Sequence, residues 1–510
     1  MSSTLKIALI VLLLLLPTLL YNLGGRPVSK IQEVRIAETA REMLVSGDWL
    51  LPRYNGELRL QKPPLPYWLT AASYKVFGVN ATAVRLPAVL FGLLTSALLF
   101  AWLRREAGTT VAANTILVLA ASYIGIRYFR SGEADAMLMF FICAASILGY
   151  HMQQYGKNQR YQLLFGLALG LGFLTKGPAA LAIPLLSLLT MSVWNREPRK
   201  FLANFSLPGL LLLLVSAGTW YAWIFWQLPD AANLFFGRQI DQTFISGTHA
   251  QPFWWYLAHF FEFFMPWGFF LIPAGWWSYR QSRQTGLPPY ARFAWVWLAT
   301  VYVLLSLTVN KQMQYALLLA PPLALVTGYY LANADGGFAR VNKIMFFIFI
   351  LAAVAGVAHI FARTSNSASV LALLALLAGS LLLKRLWKVE APTYPMLLVA
   401  AATAFAYLYS EYHFAKEPRK TATQMMVAKV DASQPLYQLH IGTRLDDGAL
   451  SFYAGRVVAP VRAEELPALL QQTPQIWLVA AEAPQLPAAS VLLEAEADDL
   501  KLYKLQARHD

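Results

Sequence analysis

Hydrophobic and polar positions alternate along this chain in long blocks. Apolar runs lie near 5–23, 83–103, 109–127, 134–152, 160–175, 178–195, 206–228, 253–278, 291–309, 313–332, 343–361, 369–384 and 393–410. A membrane hydrocarbon core of about 30 Å is crossed by roughly 20 helical residues, so the pattern predicts about thirteen transmembrane helices. The pair 160–195 is separated only by a tight turn at Lys176, Gly177 and Pro178. The first run, "KIALIVLLLLLPTLLYNL", is longer than a signal-peptide core and no small-x-small cleavage site follows it, so it reads as an uncleaved span.

Two stretches break the pattern. In the loop 24–82, "EVRIAETAREMLVSG" sets Ile36, Ala37, Ala40, Met43 and Leu44 on one helical face with charges opposite. That is an amphipathic helix suited to a membrane surface, ended by Gly47. Lys62 precedes Pro63 and Pro64, which extends its backbone, and Tyr67 and Trp68 then open a helix at interfacial depth. In the tail, strand-like "PLYQLHIG", "LSFYAG", "QIWLVAA", "ASVLLEAEA" and "LKLYKLQ" alternate with helix-like "TATQMMVAKV" and "AEELPALLQQ". The tail therefore reads as a small α/β domain. It holds no Gly-rich phosphate loop, zinc spacing or triad pattern, and no repeat runs across the spans. The expected architecture is a polytopic α-helical membrane protein, 1–410, including an outer loop 24–82, followed by an extracytoplasmic α/β domain, 411–510.

Composition agrees: 57% of residues are hydrophobic and 13% charged, about half the charge of an ordinary globular domain. A net charge of +14 would point a soluble protein toward nucleic acid. Here the cations collect in alternate short loops, at Arg104 and Arg105, Lys157 and Arg160, Arg196, Arg199 and Lys200, Arg280 and Arg283, Arg340 and Lys343, and Lys384, Arg385 and Lys388. The positive-inside rule places those loops and the N-terminus in the cytoplasm. An odd span count then puts the tail outside, together with the long first loop. Cys143 is the single cysteine, so no disulfide forms within the chain.

Several ionisable residues fall at the outer ends of spans: Arg130, Glu133 and Asp135 in "RYFRSGEADAM", Lys176 in "FLTKGP", and Lys311 with Tyr315 in "NKQMQY". Each alone reads as an interfacial anchor or a structural ion pair. Their convergence on one membrane face suits a lipid-borne phosphate and a polar group attached to it.

The motifs resemble one family. "QEVRIAE" and "REMLVSGDWLLPRYNG" open the outer loop. Gln61-Lys62-Pro63-Pro64-Leu65-Pro66-Tyr67-Trp68 continues it, and Arg85-Leu86-Pro87 starts the next span. "GLGFLTKGP" at 170–178, "THAQPFWWYL" at 248–257, and Lys311-Gln312 with Tyr315 complete the set. Over its full length the chain resembles the C-type glycosyltransferases of the protein O-mannosyltransferase superfamily, and most closely the bacterial aminoarabinose–lipid A transferases.

The resemblance implies a multi-pass inner-membrane enzyme. Such an enzyme passes a sugar from a polyprenyl-phosphate carrier to lipid A, another glycan or a protein at the outer face, with inversion at the anomeric carbon. Membrane lipids are its surroundings, and nucleic acid is not a partner. By the same resemblance Arg35, Lys62, Lys311, Tyr315 and Arg238 are candidates to hold the donor phosphate, and Glu33 and Asp135 to orient or deprotonate the acceptor. The chain departs from the family at three positions. Gln32 stands where the family has its catalytic Asp, and Gln61 and Gln239 stand where the aminoarabinose subgroup binds metal. Amides are poor ligands for zinc, so no metal cofactor is expected. Two further readings stay open: a non-catalytic relative that binds lipid-linked sugars, favoured by Gln32, and a transporter, disfavoured by the lack of repeats.

Overall fold

The computed structural model describes residues 16, 19–28, 30–232, 249–364, 418–439, 448–486, 489–497 and 500–507. The apolar runs 369–384 and 393–410 and most of 5–23 lie outside the described residues. The chain forms two compact units. The first takes in Leu60–Pro66 and Pro87–Ser410; the second is assembled from Asn22–Arg59, Tyr67–Leu86 and Glu411–Asp510.

In chain order the elements up to the membrane part are α1 (Ile31–Ser46), the hairpin β1 (Arg53–Tyr54) and β2 (Glu57–Leu58), α2 (Leu65–Phe77) and α3 (Ala81–Glu106). The hairpin turns at Asn55 and Gly56, both with positive φ, as an Asn-Gly turn favours. Then follow α4 (Thr109–Ala120), α5 (Tyr123–Tyr128), α6 (Asp135–Tyr155), α7 (Gln159–Lys176), α8 (Ala179–Trp194) and α9 (Leu207–Gln227). Asn158 caps α7 by accepting from the amides of Arg160 and Tyr161, and Ser206 caps α9 through Gly209. After these come α10 (Trp255–Ala258), α11 (Phe260–Phe263), α12 (Leu271–Gln284), α13 (Pro289–Leu307), α14 (Ala320–Asn333) and α15 (Gly336–Thr364).

Among the described residues five helices are long and apolar enough to cross a membrane: Ala81–Glu106, Asp135–Tyr155, Leu207–Gln227, Pro289–Leu307 and Met313–Asn333. Two expected spans are not continuous helices. The run 109–127 breaks at Ala121, where Ser122 caps the separate α5. The run 253–278 divides into α10, α11, a 3-10 turn at Trp267–Phe270 and α12. Its sequence carries Pro266, Gly268 and Pro273, and proline removes a helix donor and clashes with the preceding turn. Hydropathy alone does not register these interruptions.

The second unit contains α16 (Pro418–Val427), β3 (Leu436–Leu439), α17 (Ala449–Ala454), β4 (Pro460–Val461), α18 (Leu466–Gln472), β5 (Gln475–Ala480), β6 (Ala489–Ala497) and β7 (Leu500–Ala507). They form a mixed five-stranded sheet in the order β4-β3-β5-β7-β6, with β3 parallel to β4 and β5 and the remaining pairs antiparallel. Alternate residues of β5 feed opposite faces. Trp477 and Val479 pack with Met426 and Leu450, whereas Ile476 and Leu478 pack with Leu466 and Leu470. The outer-loop helices share a core with this tail: Val34, Ala37, Ala40, Ala71, Tyr74 and Val84 cluster with Ala449 and Phe452.

That core corrects the expectation for α1. It is not a helix lying on a membrane with its charges in water, because Glu33, Glu38, Arg41 and Glu42 are buried along with its apolar face. The charges are tolerated because they pair at helical spacing or across helices. Arg41 donates to both Glu38 oxygens at 2.6 and 2.7 Å and to the carbonyl of Gly455.

Burial nevertheless outweighs the pull of Arg41 and pushes the Glu38 carboxyl up from 4.5 to about 7. The folded protein therefore holds this proton more tightly than the unfolded chain. The stability it contributes is present below about pH 4.5 and declines as pH rises to about 7. The unfolding midpoint of the detergent-solubilised protein is expected to fall over that window, and Glu38→Gln to flatten the dependence. An unchanged pH profile in the variant would show that Glu38 does not titrate there.

Candidate functional site

In the first unit three segment ends meet. Asp135 is the first residue of α6, where the helix dipole favours a carboxylate, and Lys176 is the last residue of α7, where it favours a cation. The Lys176 ammonium lies 2.6 Å from Asp135 Oδ1. It also stands 4.9 Å from the centre of the Tyr315 ring, within cation–π range. The Asp135 side chain is 3% exposed and that of Lys176 15%. The carboxylate is thus buried against a cation that keeps an opening to its surroundings. One of the three ammonium donors goes to Asp135 Oδ1.

Polar groups flank this cluster in the sequence before α6. Ser131 donates to Glu133 at 2.8 Å, and Arg127 donates to the Tyr123 hydroxyl at 2.6 Å. Arg130 donates to the carbonyl of Tyr21. Lys311 is 3% exposed, and its ammonium donates to the carbonyls of Thr308 and Gln251. It therefore ties the end of α13 to the segment before α10, and burial pushes its amine down. Tyr256 bonds the neighbouring Gln312 carbonyl at 3.2 Å. Lys62, half-buried, lies between β2 and α2. Arg238 and Gln239 lie outside the described residues.

In the second unit Glu33 is 3% exposed and both its oxygens face one guanidinium. Arg85 Nε reaches Oε1 at 2.8 Å and Nη2 reaches Oε2 at 3.0 Å. The same guanidinium donates to the carbonyls of Leu23, Arg26 and Pro27. Such a bidentate, buried pair fixes the loop before α1 against the start of α3. It leaves Glu33 poorly placed to take a proton from an acceptor. Arg35 and Gln32, on α1, are half-buried. Among the described residues no group of three or more His, Cys, Asp or Glu side chains could hold a metal.

The motif reading named Asp135 and Tyr315 but left Lys176 among the general polar points and gave Arg85 no role. Their partners lie 41 and 52 positions away in sequence. A usable signal existed in both cases: a cation at the edge of an apolar span is costly unless paired, and each had an opposite charge available on the same predicted face.

Residues 61–223 match the sequence profile of the dolichyl-phosphate-mannose-protein mannosyltransferase family. The chain is 31% identical over 347 residues to the undecaprenyl phosphate-alpha-4-amino-4-deoxy-L-arabinose arabinosyl transferase of Edwardsiella ictaluri, covering 66% of this chain and 62% of that one. It is 29% identical over 328 residues to an uncharacterized protein of Aquifex aeolicus, covering 63% of each. The matches thus span less than two thirds of the length of these relatives. In structure the chain is similar to ArnT from Cupriavidus metallidurans bound to undecaprenyl phosphate, with a TM-score of 0.79 over 98% of this chain and 97% of that one, at 21% identity. The fold is that of the C-type glycosyltransferases, and the resemblance drawn from the motifs is upheld.

Proposed function

We propose that this chain, with the ArnT fold and a mannosyltransferase profile match at 61–223, is an inverting lipid-linked glycosyltransferase of the inner membrane. It takes a sugar from a polyprenyl-phosphate carrier and passes it to lipid A, another glycan or a protein at the outer face. The observation that carries the reading is the buried Asp135–Lys176 pair over Tyr315. The names of the relatives supply the first donor to test, undecaprenyl-phosphate-linked 4-amino-4-deoxy-L-arabinose.

The chemistry is displacement at the anomeric carbon. The acceptor oxygen forms a bond to that carbon while the carbon–oxygen bond to the carrier phosphate breaks, and its electron pair leaves on the phosphate. Charge grows there as the bond breaks, so a fixed cation favours the transition state over the ground state. Lys176 is the cation best placed for this in the first unit, with Lys62 and Arg238 as further candidate phosphate contacts, and Arg35 stays a candidate from the motif resemblance alone. Asp135 accepts the acceptor's proton or aligns its hydroxyl. Gln32 cannot do so, and on this reading Glu33, paired with Arg85, positions the loop. Lys311 and Tyr315 shape the mouth, Lys311 through the carbonyls it holds and Tyr315 through its ring under Lys176. No metal enters this scheme.

The test is the purified full-length protein with undecaprenyl-phosphate-linked sugars, acceptor and a chelator, read as released undecaprenyl phosphate. Acceptor-dependent release in the chelator is expected. Saturable donor binding without release would instead support the non-catalytic reading, which Gln32 favours. Loss of release that zinc restores would overturn metal independence.

The orientation proposed with this function keeps the basic loops in the cytoplasm. A reporter active only in the cytoplasm, fused after Asp510, is expected to stay silent; an active fusion would invert the topology.

A further inference from the structure

At the opposite end of α8 from Lys176, a cavity of about 900 Å³ opens between α8, α12 and α13. One stripe of each helix lines it: Leu186, Thr190 and Trp194 from α8, Gly275, Ser278 and Ser282 from α12, and Arg292, Val296, Thr300 and Val303 from α13. Most of the lining is apolar. Along α13 it runs from Arg292 to Leu304, about 18 Å at 1.5 Å per helical residue, which is the depth of one leaflet rather than of a soluble metabolite site.

Its ends differ. Ser278 is 3% exposed, lines the cavity, and its hydroxyl has no hydrogen-bond partner among the described residues. Arg292 sits at the loop end, where Nη1 donates to Asn195 Oδ1 at 2.8 Å and Nη2 to the Leu287 carbonyl at 3.2 Å. No carboxylate pairs with it among the described residues, and most of its five N–H donors are left over. The two segments at this end, 195–205 and 280–292, carry Arg196, Arg199, Lys200, Arg280, Arg283 and Arg292 against Glu197 alone, and Glu197 is taken by Lys200 at 2.9 Å. Trp194 and Tyr279, both exposed and both lining the cavity, stand at the same end, where aromatic rings mark headgroup depth.

We propose that this cavity is a binding site for an anionic glycerophospholipid of the leaflet facing the basic loops. Its acyl chains lie along α8, α12 and α13, and its phosphate meets Arg292. The site is separate from the Asp135–Lys176 cluster and does not depend on the proposed transfer reaction. It would hold together two helices near that cluster: α8 begins just after Lys176, and α13 precedes the segment that carries Tyr315.

The experiment is native mass spectrometry of the full-length protein in mild detergent with added phosphatidylglycerol or phosphatidylcholine. Wild type is expected to retain one phosphatidylglycerol about fivefold better than phosphatidylcholine, as expected for about 1 kcal/mol per basic residue at an anionic headgroup. Arg292→Gln should abolish that preference. Gly275→Leu should cut retention of both lipids, because it fills the cavity; a Cβ there meets only the Trp295 ring, at 3.7 Å, so the variant is expected to melt like wild type. If Arg292→Gln fails to fold, Gly275→Leu decides alone. Unchanged retention in a normally melting Gly275→Leu would overturn the proposal, as would equal retention of the two lipids by wild type. Displacement of phosphatidylglycerol by an equal amount of undecaprenyl phosphate would assign the cavity to the carrier lipid and overturn it too.

Discussion

Asp135→Asn is expected to lower sugar transfer by roughly 100-fold or more, the scale seen when one charge contact to a transition state is removed, and Lys176→Gln to do the same. The two groups are 2.6 Å apart and buried, so each single change also removes the other's partner. Breaking a buried pair can by itself cost roughly 3–5 kcal/mol of stability, and a loss of activity alone would not separate chemistry from folding. The charge-swapped double variant, Asp135→Lys with Lys176→Asp, makes the separation. It restores opposite charges across the same gap and is expected to recover much of the lost melting temperature. It also moves the cation onto α6 and the carboxylate onto α7, so transfer should stay at the level of the single variants. Recovery of transfer along with stability would reduce the pair to a structural contact. More than a tenth of wild-type transfer in a folded Asp135→Asn would equally sink its proposed role.

Arg85→Ala is expected to be the most destabilising single change, by roughly 3–5 kcal/mol for the loss of one partner of a buried pair. It removes the bidentate partner of the Glu33 carboxylate and a donor to the carbonyls of Leu23, Arg26 and Pro27. Arg85→Lys should rescue little, since an ammonium cannot reproduce the fork that meets both Glu33 oxygens. Pairing Glu33→Gln with Arg85→Met removes both charges together, and should be markedly milder than the sum of the singles. Denaturant titration of the detergent-solubilised protein reads these differences. Glu33→Gln alone also bears on mechanism. If Glu33 positions the loop, transfer falls only with the folded fraction. A Glu33→Gln protein that melts normally but has no transfer would return Glu33 to the role of base.

The sequence alone determined the long-wavelength apolar pattern and the motif set. It did so because a hydrocarbon core demands about 20 apolar residues per crossing and because "KPPLPYW", "FLTKGP" and "KQMQY" are contiguous stretches. Some strands of the tail were legible for a similar reason, but "LSFYAG", read as a strand, is the helix α17 (Ala449–Ala454). Strands such as Gln475–Ala480 stand out as short runs of β-branched and aromatic residues, here buried on both faces. What hydropathy missed was where spans break, at Ser122 and around Pro266, because a cap or a proline changes backbone hydrogen bonding without changing mean apolarity.

Only the tertiary structure decided which charges are partners. Glu33 and Glu38 both lie on α1 and look alike in sequence, yet Glu33 is gripped by Arg85 on α3 and Glu38 by Arg41 one turn away. Lys176 and Lys311 both look like outer-face cations. In the structure Lys176 meets a carboxylate and a ring, whereas Lys311 meets backbone carbonyls. The reason is physical: in a low-dielectric interior each charge must find a compensating group, and several chemically equivalent groups along the chain would serve. Which one does so depends on how helices ending 41 or 52 residues apart come to lie side by side, and the packing of their apolar faces settles that.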